Sequence, residues 1–98
     1  MRLIHIETRN VGEVIRETKT HTVIKLKDGR EYFAPKEEFR DYQEYCANNE
    51  INSFISYKNT FGALNKQEVI DNIMKDYRKE PQIRIAIMNK LEQNGYFN

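Results

Sequence analysis

Residues 22–35 have the sequence Thr22-Val23-Ile24-Lys25-Leu26-Lys27-Asp28-Gly29-Arg30-Glu31-Tyr32-Phe33-Ala34-Pro35. Apolar and charged residues alternate up to the Asp28-Gly29 pair, and a second extended run follows that pair. Asp-Gly is favoured in the tight type I′ turn of β-hairpins, because both of its residues tolerate a positive φ. The segment therefore predicts a hairpin made of two antiparallel strands, 21–27 and 30–34.

Two more extended segments precede that hairpin. Residues 2–8 predict a first strand in which Ile4 and Ile6 share one face and His5 lies on the other. Residues 13–19 predict a second strand, after a turn at residues 10–12. Four strands joined by short turns form an antiparallel β-meander, and short, strongly twisted strands of this kind can curl into an SH3-like half-barrel.

The chain changes from strand to helix patterning at Pro35. Proline fits the first turn of a helix, where its missing N–H leaves no hydrogen bond unmade. Phe39, Tyr42 and Cys46 then fall on one face of a predicted helix that runs to about Ala47. Residues 51–64 have no clear periodicity and are predicted to be irregular or short-helical.

Two further helices are predicted from local signals at their ends. Asn65 and Glu68 have the spacing of a capping box, so a helix is expected to begin after Asn65. Pro81 suits the first turn of the next helix, and Gly95 suits the left-handed residue that closes it. Strands followed by about three helices predict an α+β fold. The expected organisation is a single domain, 1–98, with a β-sheet part, 1–34, and a helical part, 35–98.

Charge and cysteine usage restrict the classes of function. The chain has 16 basic and 15 acidic residues, for a net charge of +1. This near-balance disfavours both a protein that follows a phosphate backbone and a protein that imitates DNA. The single cysteine, Cys46, excludes an intrachain disulfide, and no secretion signal or membrane span is evident. We therefore expect a cytoplasmic protein.

No group of residues has the spacing of a catalytic or metal site. His5, His21 and Cys46 are far apart in sequence and form no CxxC or HxxxH motif. The histidines are expected to be half-exposed strand residues, and Cys46 to be a small buried residue on its helix. The four glycines are scattered, so no phosphate-binding loop is present. Neither an enzymatic activity nor a cofactor is predicted.

Aromatic residues are the main indication of a binding function. Six tyrosines and five phenylalanines are many for a small core, and exposed tyrosines are common anchors at protein interfaces. They could instead close the edge of the core with their hydroxyl groups in water. The isoleucines of the helix at 83–91 exceed one helical face, so a homodimer through this helix is expected. The predicted partner-binding residues are Tyr42, Tyr45, Tyr57, Phe61, Tyr96 and Phe97.

An alternative interpretation concerns nucleic acid. Residues 65–97 resemble part of a winged-helix or helix-turn-helix domain, with two helices joined at Lys79-Glu80-Pro81 and followed by Leu91-Glu92-Gln93-Asn94-Gly95-Tyr96-Phe97. The resemblance implies a small DNA-binding transcriptional regulator. An ordinary helical hairpin and protective edge-strand lysines would explain the same residues. The cations that could meet nucleic acid are Lys25, Lys27 and Arg30 in the sheet and Arg78, Lys79, Arg84 and Lys90 in the helices.

The chain as a whole resembles the small accessory proteins of bacteriophages and mobile elements, which include anti-CRISPR and other anti-defence inhibitors. The likeness is in size, in the lack of catalytic residues and in the abundance of Lys, Ile, Asn, Glu and Tyr; it assigns no residue. It implies a non-catalytic inhibitor or adaptor. Such a protein would bind and occlude a host protein or a nucleoprotein complex.

Overall fold

The computed structural model describes residues 1–97 and contains two compact units. The first unit extends from Met1 to Tyr45, and the second begins at Cys46. The first unit holds a five-stranded antiparallel sheet, and the second holds most of the helical residues. N-terminal strands followed by three helices confirm the predicted α+β class.

The sheet consists of β1 (Arg2–His5), β2 (Val11–Glu17), β3 (His21–Lys25), β4 (Glu31–Pro35) and β5 (Phe39–Asp41). Its strand order is β4-β3-β2-β1-β5, and every neighbouring pair is antiparallel. The predicted four-strand meander is therefore confirmed. The fifth strand lies on the other side of β1, and the SH3-like curl stays a prediction.

The fifth strand replaces the start of the helix that was predicted from Pro35. Pro35 ends β4 with φ −57° and ψ 144°, and a 3₁₀ turn at Lys36–Glu38 follows. Phe39 then pairs with His5 in the sheet. The prediction that Phe39, Tyr42 and Cys46 share one face of a helix is wrong, because Phe39 is buried in the sheet core with Ile24 and Ala34. The sheet accordingly extends beyond residue 34, to Asp41.

The hairpin between β3 and β4 is confirmed, but its turn is not type I′. Gly29 has a φ of 90°, whereas the only non-glycine residue with positive φ among residues 1–97 is Arg9. The Gly29 N–H donates to the Leu26 carbonyl, and the Leu26 N–H donates to the Arg30 carbonyl. This pattern is typical of a three-residue loop with a type I turn and a left-handed glycine, in which Asp28 needs no positive φ.

Three helices follow the sheet: α1 (Tyr42–Phe61), α2 (Lys66–Tyr77) and α3 (Pro81–Gln93). Residues 51–61 continue α1, so the predicted helix end near Ala47 is wrong, and of the two structures predicted for residues 51–64 the helical one is present through Phe61. Ile51 and Phe54 are buried along the inner face of α1. The capping box before α2 is confirmed, since the Asn65 side chain and Glu68 each accept the other's backbone N–H. Gly95 is left-handed, with a φ of 69°, as predicted.

The core of the helical unit is made of one stripe from each helix. The buried side chains are Cys46, Ala47, Ile51 and Phe54 from α1, Val69 and Ile73 from α2, and Ile83, Ile87 and Leu91 from α3, together with Tyr96. The stripe on α3 follows the spacing i, i+4, i+8, which places its members on one side of the helix. Side chains between them in sequence are consequently left outside this core.

Candidate interaction surfaces

His5 lies in the interior of the sheet unit, so its predicted half-exposure is wrong. Only 1% of the residue is accessible. The Thr8 backbone N–H donates to Nδ1 over 3.1 Å, so in the neutral ring the proton is on Nε2, which lies 2.7 Å from Glu38 Oε1. Both ring nitrogens are therefore bonded inside the unit, and the ring ties the β1–β2 loop to the 3₁₀ turn.

The position of β5 explains this burial. Phe39 of β5 is opposite His5 in the register, and their ring centres are 5.4 Å apart. Tyr32 of β4 meets the same imidazole edge-on at 5.0 Å, with its hydroxyl 3.5 Å from Nε2. The imidazole is therefore enclosed by two aromatic rings, and both of its nitrogens have hydrogen-bond partners within the sheet unit, from Thr8 and Glu38.

The remaining candidates for chemistry have ordinary surroundings. Cys46 is buried, as predicted. His21 is half-buried and stacks on the exposed ring of Phe33, with ring centres 4.5 Å apart and planes only 4° from parallel. Within residues 1–97, no cluster of three or more His, Cys, Asp or Glu side chains has an arrangement that could hold a metal ion.

Two of the predicted aromatic contact residues form an exposed pair on α1. Tyr57 is 45% exposed and Phe61 is 73% exposed, and their ring centres are 5.0 Å apart. They line a shallow depression of about 490 Å³ together with small polar side chains. We call this surface the aromatic face of α1; it consists of Asn52, Ser53, Ser56, Tyr57, Thr60 and Phe61.

The aromatic face of α1 contains no charged side chain. This composition stands out because charged residues make up 32% of the chain. Lys58, next to Tyr57 in sequence, is half-buried, with its ammonium group 5.2 Å from the centre of the Tyr96 ring. The face thus offers two aromatic rings beside hydroxyl and amide groups, and Tyr57 also borders a groove that contains Glu50, Glu68 and Asp76.

The other predicted aromatic residues contribute less to the surface. Tyr96 is 3% exposed and its hydroxyl accepts a hydrogen bond from the Leu64 backbone N–H at 3.0 Å. The ring packs edge-on against Phe54 in the core of the helical unit, so it presents little surface to a partner. Tyr42, Tyr45 and Phe97 are half-buried, and each has a cation near its ring, from Arg2, Arg9 and Lys66 respectively.

In the sheet unit, Lys25, Lys27 and Arg30 are all exposed. Arg30 is already neutralised, since its Nε lies 2.6 Å from Asp28 Oδ2. Hydrogen bonds from the Arg30 backbone N–H and side chain hold the pKa of Asp28 below its ordinary value. The carboxylate therefore stays ionised beside the guanidinium and reduces the attraction of this loop for phosphate.

In the helical unit, Arg84 has a structural role. Its Nη1 donates to the carbonyls of Tyr77 and Arg78, at 2.7 and 2.5 Å, and so closes the carboxyl end of α2. Arg78 and Lys79 are exposed at the connection between α2 and α3, and Lys90 is half-buried. Of the four helical cations, these two at the connection have the exposure that a phosphate contact requires.

A second surface lies between α2 and α3, and it includes part of the helix through which the sequence predicts a homodimer. Ile70 and Met74 of α2 and Ile85 and Met88 of α3 line an open groove of about 320 Å³. We call it the α2–α3 groove. Ile85 is 59% exposed, although Ile83 and Ile87 on either side of it are buried. The run of three alternate isoleucines was a signal for this surface, because alternate residues point to opposite sides of a helix.

On its other side, α2 faces α1 across a polar groove of about 420 Å³ that contains the carboxyl groups of Glu50, Glu68 and Asp76. Burial raises the pKa of Glu50 above its ordinary value, and the charge of Asp76 raises it further. The Tyr77 hydroxyl donates to Glu50 over 3.4 Å and partly offsets this effect. The groove therefore holds a destabilised carboxylate.

Comparison of the chain with protein-family models, with curated proteins and with solved structures finds no match. The surfaces described above are therefore interpreted from their own geometry and composition. Among the described residues, 1–97, no helix combines the length and the apolar character that crossing a membrane would require.

Proposed function

We propose that this chain is a non-catalytic binding protein that acts in the cytoplasm as a phage-type inhibitor or adaptor. It binds a host protein, alone or within a nucleoprotein complex, and blocks the surface that it covers. The aromatic face of α1 is the contact surface. The observation that carries this proposal is the exposed Tyr57–Phe61 pair on a face without charged side chains.

The composition of that face fits a protein partner. The centres of protein interfaces are depleted in charge and enriched in aromatic residues. Tyrosine, serine and asparagine together are also typical of antibody binding surfaces, where rigid rings supply contact area and small polar groups supply adaptable hydrogen bonds. We infer that the partner presents an apolar pocket for the Phe61 ring, surrounded by groups that hydrogen-bond to hydroxyls and amides.

Charge disfavours nucleic acid at the same face. Affinity for a nucleic-acid backbone comes chiefly from cations that replace condensed counterions. The aromatic face of α1 has none, and Arg30 and Arg84 are engaged with Asp28 and with the end of α2. The alternative, a DNA-binding regulator, depends on the exposed Arg78 and Lys79, and it makes a different experimental prediction.

The test compares the binding of three variants to a purified partner. The tagged chain is used to isolate the partner from host extract, and the complex is then reconstituted from pure components and titrated by calorimetry. Truncating a central aromatic anchor typically weakens an interface by about 2 kcal/mol, so Phe61→Ser and Tyr57→Ser should each reduce affinity roughly 30-fold. Phe33→Ser removes a ring of intermediate exposure, 60%, from the sheet unit, and it should bind like the unmodified chain.

Two results would refute the proposal. Equal affinity of the Phe61 and Tyr57 variants and the unmodified chain would show that the partner binds elsewhere. A salt-sensitive mobility shift of duplex DNA at micromolar protein, abolished by a combined change of Arg78 and Lys79 to alanine, would support the regulator instead.

A further inference from the structure

The geometry points to a homodimer in which two copies of the chain join through their α2–α3 grooves, with the two α3 helices antiparallel. Ile85 of each copy would insert into the groove of the other, against Ile70 and Met88. This inference does not depend on the proposed function, because it uses a different surface and a different partner.

The groove and the side chain that fills it belong to the same face. Ile85 stands 59% exposed at the lip of a groove lined by Ile70, Met74 and Met88, and it is an aliphatic side chain like those it would contact. A two-fold interface requires this kind of self-complementarity, since residue i contacts j while j contacts i. Ile85 and Met88 lie on either side of the middle of α3, so a two-fold axis there brings each Ile85 to the level of the other copy's Met88.

The charges at the two ends of the hairpin favour the antiparallel arrangement. The end where α2 and α3 are connected has more cations than acids, namely Lys75, Arg78, Lys79 and Arg84 against Asp76 and Glu80. The opposite end has a small acidic excess, Glu68, Asp71 and Glu92 against Lys66 and Lys90. At that end, Glu92 is paired with Lys66 over 3.3 Å. An exposed pair of that kind contributes little, so Glu92 can turn to a cation of a second copy. An antiparallel dimer places the basic end of each copy beside the acidic end of the other, whereas a parallel dimer would align like charges.

The area of the α2–α3 face indicates how strongly the two copies should associate. The 12 residues of α2 span about 18 Å, and two helices side by side are roughly 20 Å wide, which gives a face of about 360 Å² per copy. Two such faces bury about 720 Å² in total, which is less than the roughly 1,000 Å² that a stable interface exceeds, so the contact is a weak one. The dimer should therefore dissociate readily, and experiments must reach millimolar concentration.

Sedimentation equilibrium of the full chain from about 5 μM to 1 mM tests the inference, with circular dichroism to verify folding. The unmodified chain should shift reversibly from monomer to dimer. Ile85→Glu should weaken association by roughly 30-fold or more, because it places a charge in an apolar contact, and Ile85→Ala should weaken it by a smaller factor. Phe61→Ser, on the aromatic face of α1, should leave the dissociation constant unchanged.

Cross-linking distinguishes the orientation. Met88→Cys lies near the proposed two-fold axis and should form an intermolecular disulfide on mild oxidation, since Cys46 is buried. In an antiparallel pair, the two copies of Gln82→Cys would be separated by about 14 Å along the axis, far beyond disulfide reach. A chain that stays monomeric at 1 mM, an Ile85→Glu variant that dimerises normally, or equal cross-linking of both cysteine variants would each overturn the inference.

Discussion

Substitution of His5 tests how much this buried histidine contributes to the stability of the fold. The ring accepts one backbone hydrogen bond from Thr8 and makes one charge-assisted bond to Glu38. His5→Phe keeps a ring of similar size against Tyr32 and Phe39 but deletes both nitrogens. Comparison of His5→Phe with His5→Ala therefore separates the contribution of the hydrogen bonds to the free energy of unfolding from the contribution of packing.

The magnitudes follow from the partners. The bond from the Thr8 N–H is worth about 1 kcal/mol net, and the bond to a charged carboxylate is worth about 1.5–3 kcal/mol. The Glu38 side chain is 35% exposed, so water can replace its lost partner and the lower value applies. His5→Phe should thus destabilise the protein by about 2–3 kcal/mol. His5→Ala leaves an additional cavity between two aromatic rings, and it should cost about 4–5 kcal/mol in total.

Urea unfolding monitored by circular dichroism gives these differences, and hydrogen exchange gives a local readout. The Thr8 amide should lose its protection in both variants, because its acceptor is gone. His21→Phe serves as the matched control; this half-buried histidine already stacks on Phe33, so the change should stay within about 0.5 kcal/mol. A His5→Phe variant as stable as the unmodified chain, with a protected Thr8 amide, would refute the reasoning.

Three other changes test separate parts of the structure. Burial holds the pKa of Glu50 above its ordinary value, so the protonated carboxyl favours the folded state. This stabilisation is lost as pH rises through the raised pKa. Glu50→Gln should therefore melt at a higher temperature than the unmodified chain at pH 7, and thermal scans at pH 4 should show little difference. Asn65→Ala removes the cap of α2 and should cost about 1 kcal/mol by urea titration, whereas Asn65→Asp should cost little. A Cβ at position 12 would overlap the Lys25 carbonyl on the neighbouring strand, so Gly12→Ala should cost more than about 2 kcal/mol. Gly62→Ala has open space around it and tests backbone conformation alone, at about 1 kcal/mol; equal costs at positions 12 and 62 would contradict the steric explanation.

The helix ends could be predicted because their signals are local. The capping box of Asn65 and Glu68 and the left-handed Gly95 each satisfy backbone groups within a few residues in sequence, so the residues themselves specify the structure. The β3–β4 hairpin was predictable for the same reason. Its turn type was not, because Asp-Gly fits both a two-residue loop and the last two positions of a three-residue loop.

The fifth strand could not be predicted because its partner is distant in sequence. Pro35 has a φ of −57°, which suits both a helix start and the end of a strand. The choice depends on Phe39, which gains burial only by pairing beside His5 of β1. The burial of His5 could not be predicted either, because β5 was not predicted. Strand alternation showed that Ile4 and His5 point to opposite faces of β1, but not that both faces would be buried.

The two candidate surfaces differ in composition in the way that their proposed partners require. Interfaces between copies of one chain are on average more apolar than interfaces between different proteins, which keep polar groups around their apolar anchors. The α2–α3 groove is lined mainly by aliphatic and methionine side chains, and the aromatic face of α1 mixes two rings with serine, threonine and asparagine. The variants Ile85→Glu and Phe61→Ser should therefore affect different assays, and an effect of both on the same complex would show that the two faces form one interface.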